Sequence, residues 1–192
     1  MTLTTIDPSP ALVVIDLQKG IAGGDPVPAA VERATRLAGE FRRHGLPVVL
    51  VNVTGRPPGR TDPGPSRGGP MAPGWADLID ELDVQPTDHL VTKRRRSAFH
   101  DTGLDTLLRD LGVTQVVLTG IATSSGVEST ARSASDHGYH VVLVTDAMGD
   151  PDPEAHRHSV ERVFPKLGET ATSAEIIGFL DRRPDSFDRA AR

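Results

Sequence analysis

Short runs of apolar residues alternate along the chain with stretches in which apolar residues recur every three or four positions. The six runs predicted as strands are residues 11–15, 47–53, 89–92, 115–119, 140–145 and 169–171. Most of these runs are rich in β-branched residues, which is typical of strands covered on both faces. The alternation of strands with amphipathic helices predicts strand–helix units and a parallel sheet.

Helix start and stop signals lie between the predicted strands. Asp25 and Pro26 indicate the start of a helix whose apolar residues follow the 3.6 period as far as Phe41, and Gly45 indicates its end. Further helices are predicted at residues 75–82, from Thr102 to Gly112, from a Ser125–Glu128 capping box to Gly138, after Asp152 and Pro153, and after Thr172 with Glu175. Six strand–helix pairs predict one α/β domain of three α/β/α layers over residues 1–182, with a polar, flexible tail at 183–192.

Residues 54–74 differ in composition from the rest of the chain. They include six Gly and six Pro and show hardly any apolar periodicity. A loop of this length inside a compact domain is usually a lid, a binding loop or a contact between subunits. We expect one of these roles for the segment.

Composition and charge narrow the function classes. The formal net charge of −5 argues against general binding to nucleic acid. No apolar stretch reaches the roughly 20 residues that a membrane span needs, and the first residues lack a secretory signal. Cysteine is absent, which excludes disulfides and every thiol mechanism. We therefore expect a cytoplasmic enzyme or binding protein.

Polar residues with possible chemistry follow several predicted strands. In an open parallel sheet, ligands bind at the carboxyl ends of the strands. Asp16, Lys93, the segment 120–126 and Asp146 are therefore expected along one edge. A buried acid such as Asp16 has a raised pKa unless a cation lies close. From the residues alone, Asp16 and Asp146 could equally cap turns, and Lys93 could belong to a solvated basic run.

The segment 120–126 is a glycine-bounded turn before a helix. Free N–H groups at such a helix start can bind an anion or an oxyanion, although a plain tight turn with Ser125 as cap is the alternative. Neither a phosphate-loop motif nor a GxSxG motif is present. No pair of the seven His has convincing metal spacing together with a third ligand.

Three long motifs together resemble the isochorismatase-like family, which includes cysteine hydrolases. They are ALVVIDLQKG at 11–20, TKRRRSAFHDTGLDTLLRDLGV at 92–113 and VVLTGIATSSGVESTARSASDHGY at 116–139. The resemblance covers residues 10–180 and implies a six-stranded parallel sheet between helices. It also implies a catalytic triad at Asp16, Lys93 and Gly126, where glycine replaces the family's nucleophilic cysteine.

Further properties follow from the same resemblance. It implies a cis peptide between Ile121 and Ala122, with N–H groups around Ala122 and Gly126 forming an oxyanion hole. Ser125, Phe99 and Gln18 are further candidates for substrate binding. The family's metal cluster should follow the second strand, but residues 52–60 contain no His or Asp, so we predict no metal and no cofactor.

Gly126 closes the covalent thiol route and resembles the subgroup that includes true isochorismatases. This implies hydrolysis of an ether or C–N bond in a small, anionic metabolite, with Asp16 as general acid or base and a substrate carboxylate paired by Arg94, Arg95 or Arg96. Two alternatives remain: Ser124 or Ser125 replaces the thiol, or the chain is a non-catalytic binding or interaction protein. By resemblance, we expect a homodimer or homotetramer.

Overall fold

A six-stranded parallel sheet forms the centre of the computed structural model, which describes residues 3–22, 28–62 and 71–183. Its strands are β1 (Pro10–Ile15), β2 (Val48–Val53), β3 (His89–Lys93), β4 (Gln115–Ile121), β5 (His140–Gly149) and β6 (Glu169–Ala171). The order across the sheet is β3-β2-β1-β4-β5-β6, and all neighbouring pairs are parallel. The predicted six-stranded parallel sheet is confirmed, and β4 and β5 extend beyond their predicted ends.

Helices cover both faces of this sheet. They are α1 (Lys19–Ala22), α2 (Pro28–Arg43), α3 (Leu104–Asp110), α4 (Glu128–Asp136), α5 (Pro153–His158) and α6 (Ser173–Asp181). Successive residues of β1 point to opposite faces, so Leu12 and Val14 pack with α2 and α6 while Val13 and Ile15 pack with α3 and α4. Two apolar cores result, one on each side of the sheet, which confirms the three-layer α/β/α architecture.

Several predicted helix ends agree with the structure. The α2 helix ends at Arg43, and Gly45 takes a left-handed φ of 62° just beyond it. Asp152 caps α5 by accepting hydrogen bonds from two backbone N–H groups, and Thr172 with Glu175 forms a capping box on α6. The predicted start of α2 at Asp25 lies outside the described residues, as do residues 184–192 of the predicted tail.

Two helix predictions are wrong. Residues 75–82 form turns and a single 3₁₀ turn, Asp80–Leu82, because the segment pairs with the chain after β1 instead of coiling. Gln18 and Leu78 form an isolated antiparallel bridge, and the Ile79 N–H donates to the Leu17 carbonyl.

The Ser125–Glu128 capping box is the second wrong prediction. Thr123–Val127 forms a π-helical turn that leads directly into α4, and no side chain caps it. The Glu128 carboxylate binds Arg132 and Ser159 instead.

Among the described residues, no helix combines the length and apolar character that a membrane crossing requires.

Candidate active site

Asp16 and Lys93 meet at the carboxyl edge of the sheet. Asp16 directly follows β1 and Lys93 is the last residue of β3, with β2 between the two strands. The Lys93 Nζ donates to Asp16 Oδ2 over 2.6 Å, and the residues are only 2% and 4% exposed. The structure therefore brings together two of the predicted site residues as a buried ion pair.

One oxygen of this pair is left without a partner. Asp16 Oδ1 is buried and accepts no hydrogen bond from the described residues. Burial raises the pKa of Asp16 to about 6, although the Lys93 ammonium lowers it. A carboxyl group with a pKa near the working pH can both give and take a proton, which general acid–base chemistry requires.

Gly120 brings β4 close enough to β1 to complete the site. It has a φ of 119°, and a Cβ at this position would lie 2.0 Å from the Ile15 carbonyl oxygen. Only glycine can take this conformation at this distance. The end of β4 and the following turn are thereby held against the residue that precedes Asp16.

Gly126 lies directly on the ion pair. A Cβ at position 126 would be 3.0 Å from Asp16 Oδ2 and 3.4 Å from Lys93 Nζ. Any side chain at this position would therefore contact both charged groups. All three residues of the triad implied by the resemblance converge on one point.

The turn that carries Gly126 begins with a cis peptide between Ile121 and Ala122, at the bond where the resemblance implies one. The N–H groups of Ser125 and Val127 both donate to the Ala122 carbonyl, over 3.1 and 3.2 Å. The backbone N–H of Ser125 is thus engaged inside the turn. Of the predicted oxyanion-binding groups, the N–H groups of Ala122 and Gly126 remain candidates.

A cavity of about 310 Å³ opens over these groups. Its described lining consists of Asp16, Ile21, Val53, Gly55, Arg56, Pro57, Trp75, Lys93, Arg95, Arg96, Ile121, Ala122, Ser125 and Gly126. Asp16 is the only acid of that lining, which also holds three arginines and Lys93. In a chain with a net charge of −5, this cationic cavity favours an anionic ligand.

Two residues predicted to bind substrate have other roles in the structure. The Phe99 ring stacks on His137 with centroids 5.0 Å apart, because Ala98 is held on α4 by a 3.0 Å hydrogen bond to Thr130. The Gln18 amide is used by backbone groups, accepting from the Val53 N–H over 2.7 Å and donating to two carbonyls. Gln18 therefore fixes the end of β2 instead of lining the cavity.

The sequence pattern did not identify Trp75 and Arg56, which both line the cavity. The Trp75 indole lies on Gly20, where a Cβ would come within 2.0 Å of its ring, and the Gly20 N–H donates to the Trp75 carbonyl. Trp75 is the only tryptophan of the chain, and this rarity is the one feature of the sequence that could have marked it as a site residue. Arg56 lies in the Gly/Pro-rich segment, whose sequence has no apolar periodicity from which its position could be predicted.

Asp146 was predicted on the same edge but belongs to another site. Its two carboxylate oxygens accept from the Ser173 N–H over 2.7 Å and the Ser173 hydroxyl over 2.8 Å. Arg33 forms an ion pair with it at 3.5 Å. Asp146 therefore stabilises the start of α6.

Neither serine of the turn has the surroundings of a nucleophile. The Ser124 hydroxyl donates to Asp150 over 2.7 Å and so is directed to a carboxylate outside the cavity lining. Ser125 lines the cavity, but its hydroxyl forms none of the hydrogen bonds to Asp16 or Lys93 that would activate it.

Within the described chain, one group of side chains has metal-like spacing. Ligand atoms of Glu40 on α2, His44 just beyond its end and Asp181 on α6 lie within 4.8 Å of one another. Arg43 contacts both carboxylates of this group, and none of the three residues lines the cavity.

Comparison with known proteins extends these observations. A sequence profile of the isochorismatase domain matches residues 10–175. The isochorismatase family protein YwoC of Bacillus subtilis is 40% identical over 173 residues, covering 87% of this chain and 92% of that protein. A maleamate amidohydrolase of Pseudomonas putida is 31% identical, covering 88% and 85%. The structure of an isochorismatase family protein from Burkholderia thailandensis superposes with a TM-score of 0.86 at 41% identity, covering 92% and 98%.

Proposed function

Since this chain belongs to the isochorismatase family of hydrolases, we propose that it hydrolyses a small anionic metabolite without a cysteine nucleophile. Asp16 is the general acid and base of this reaction. The observation that carries the proposal is the buried, unpartnered Oδ1 of Asp16, whose carboxyl has a pKa of about 6. Asp16 lines the cavity, so a substrate bound there can exchange a proton with this carboxyl.

Gly126 decides which mechanism is available. The chain has no cysteine, and position 126 offers no side chain to attack a carbon atom. The acid must therefore act on substrate and water directly. The absent side chain also leaves room beside the Asp16 carboxyl, since a Cβ there would lie 3.0 Å from Oδ2.

Hydrolysis of a vinyl ether such as isochorismate suits this arrangement. The protonated Asp16 gives its proton to the enol-ether carbon, and water adds to the resulting oxocarbenium carbon. The carboxylate then takes a proton from the added water, and the hemiketal collapses to a carbonyl compound and an alcohol. Taking that proton restores the acid, and the collapse passes the hydroxyl proton of the hemiketal to the departing oxygen, so no covalent enzyme intermediate is needed.

Hydrolysis of a C–N bond is the second form of the same proposal, and a relative named as a maleamate amidohydrolase favours it. In this case the Asp16 carboxylate takes a proton from water, which attacks the amide carbon. The protonated Asp16 then gives that proton to the nitrogen, and the C–N bond breaks to release an amine or ammonia and a carboxylic acid. The N–H groups of Ala122 and Gly126 are the candidate donors to the oxyanion that forms.

The cationic cavity supports an anionic substrate in both forms. Arg56, Arg95 and Arg96 line it, and a guanidinium binds a carboxylate through two parallel hydrogen bonds. Arg94, which the sequence also suggested, is not part of the cavity lining.

The alternative is a non-catalytic protein that binds a small anion or serves as an oligomeric interaction protein. The missing nucleophile favours it. The buried Asp16–Lys93 pair argues against it. Removing two charged groups from water costs on the order of several kcal/mol of desolvation free energy, and apolar side chains at these positions would avoid that cost.

A turnover panel with isochorismate and maleamate tests the proposal. We expect hydrolysis of a member of the panel by the native chain and loss of it in Asp16→Ala. The direction of the pH profile separates the two forms: an acid role makes activity fall as pH rises through about 6, whereas a base role makes it fall as pH drops below about 6. A thermal shift with an anion but no turnover on a wide panel would favour the non-catalytic alternative.

A homodimer or homotetramer and a cytoplasmic location remain predictions. Sedimentation velocity tests the first. Deletion within residues 54–74 tests whether this segment forms the contact between subunits. If it does, the deletion variant should be monomeric.

A further inference from the structure

We propose that Asp150 is a positioning residue of the active site, which holds the turn at residues 122–126 against the Asp16–Lys93 pair. This inference rests on the proposed function of that pair. Asp150 directly follows β5 and is 7% exposed, and it lies outside the cavity lining. It therefore acts on the reaction through the backbone instead of through substrate.

The Asp150 carboxylate is satisfied by the turn and by the chain that follows β5. Its Oδ2 accepts from the Ser124 N–H over 2.8 Å and from the Ser124 hydroxyl over 2.7 Å. Its Oδ1 accepts from the Asp152 N–H over 3.0 Å. A buried carboxylate with three donors is a fixed point, because losing any of them leaves a charged oxygen uncompensated.

Ser124 lies two residues before Gly126, so its position sets where the turn meets the ion pair. A second contact holds the neighbouring residue, since the buried Thr123 hydroxyl lies 2.8 Å from His156 Nδ1. His156 belongs to α5, whose N-cap Asp152 is itself bound to Asp150. The β5–α5 connection thus holds both residues that lead into Gly126.

The geometry at Gly126 leaves little tolerance. The glycine packs so closely that a Cβ would lie 3.0 Å from Asp16 Oδ2. The turn therefore forms part of the cover that keeps water from Asp16, whose other charged neighbours in the cavity are Lys93 and three arginines. If Ser124 is released, the cover loosens and the carboxyl of Asp16 is hydrated.

The experiment measures the pKa of Asp16 directly, by NMR titration of its carboxyl carbon with Asp16→Asn as the assignment reference. In Asp150→Ala we expect this pKa to fall from about 6 by roughly one unit, because hydration removes part of the burial effect. Ser124→Ala removes the hydroxyl bond alone, so a smaller shift in the same direction is expected. With a substrate in hand, Asp150→Ala should lower kcat by about 10- to 100-fold with a small change in KM.

Thr172→Ala is the matched control. It removes the capping box of α6, where Thr172 accepts from the Glu175 N–H, and leaves every hydrogen bond between Asp150, Asp152 and the turn in place. We expect a lower Tm and an unchanged Asp16 pKa.

An Asp16 pKa that stays near 6 in a folded Asp150→Ala, or that moves equally in Thr172→Ala, overturns the positioning role. If Asp150→Ala does not fold, the same titration is made in Asp150→Asn and Ser124→Ala. An unchanged Asp16 pKa in both variants contradicts the positioning role. The titration needs no substrate, so absence of turnover on the panel would refute the proposed function while leaving this test in force.

Discussion

Asp16 and Asp146 follow similar apolar runs, VVI and VLVT, yet the structure gives them opposite roles. Both oxygens of Asp146 are bound by the N–H and hydroxyl of Ser173 at the start of α6, and its side chain is 28% exposed. Asp16 has a side chain only 6% exposed, with Lys93 on one oxygen and no described partner on the other.

The difference shows what separates a capping acid from a reactive one. A carboxylate whose oxygens are satisfied by a helix start stabilises that start and has nothing left to offer a ligand. A buried carboxyl with one unpartnered oxygen and a raised pKa keeps its proton within reach of neutral pH. Breaking each acid in turn tests this contrast.

The largest expected effect is on turnover in Asp16→Asn. The amide cannot exchange the proton, so kcat/KM should fall by about 1,000-fold, within the range for loss of a general acid or base. This fall in kcat/KM is measured by steady-state kinetics on the substrate that the panel identifies. Asp146→Asn serves as control and should keep activity within about twofold; equal losses in the two variants would show that the contrast is wrong.

A methyl group added at Gly126 is expected to disturb the Asp16–Lys93 pair from the side of the turn. In Gly126→Ala the new Cβ would lie 3.0 Å from Asp16 Oδ2 and from Ile15 Cγ2, so the carboxylate or the turn must shift. We expect kcat/KM to fall by about 100-fold.

Gly39→Ala is the matched control for that substitution. Gly39 is exposed in the middle of α2, with nothing within 4 Å of an added Cβ. It should leave activity unchanged and raise stability by up to about 1 kcal/mol. Full activity in Gly126→Ala would contradict the close packing at the site.

Removing the Lys93 ammonium tests how the charge beside Asp16 contributes to its difference from Asp146. In Lys93→Met the lowering effect of the ammonium is lost while burial remains, so the pKa of Asp16 should rise above 6. The limb of the pH–rate profile that Asp16 sets should then move to higher pH, as should the carboxyl titration by NMR. Lys19→Met, which removes an exposed pair with Asp80, should move neither.

The smallest expected effect is on stability in Asp146→Ala. Loss of two hydrogen bonds at the start of α6 should lower the free energy of unfolding by about 1–2 kcal/mol. Chemical denaturation measures it, and Ser173→Ala in a double-mutant cycle isolates the shared part. A loss of activity without a loss of stability would place Asp146 in the site after all.

The structure agrees with the sequence where a local pattern carries the information. Short runs, most of them rich in β-branched residues, predicted all six strands, and the position of Asp16 and Lys93 after two of them predicted their shared edge. Local patterns failed at the 75–82 segment and the Ser125–Glu128 box. In the first, pairing between Leu78 and Gln18 replaces the helix, and in the second a π-helical turn replaces the cap.

Periodicity and residue type are enough to predict the α/β architecture, the absence of a thiol, and which charged residues follow strands. Tertiary contacts settle the rest: Asp16 keeps an oxygen without a described partner, Asp146 binds the start of α6, and Trp75 and Arg56 line the cavity. The reason is physical. Partners such as Lys93 and Ser173 lie 77 and 27 residues away along the chain, and only the sheet order and crossovers bring them within hydrogen-bonding distance.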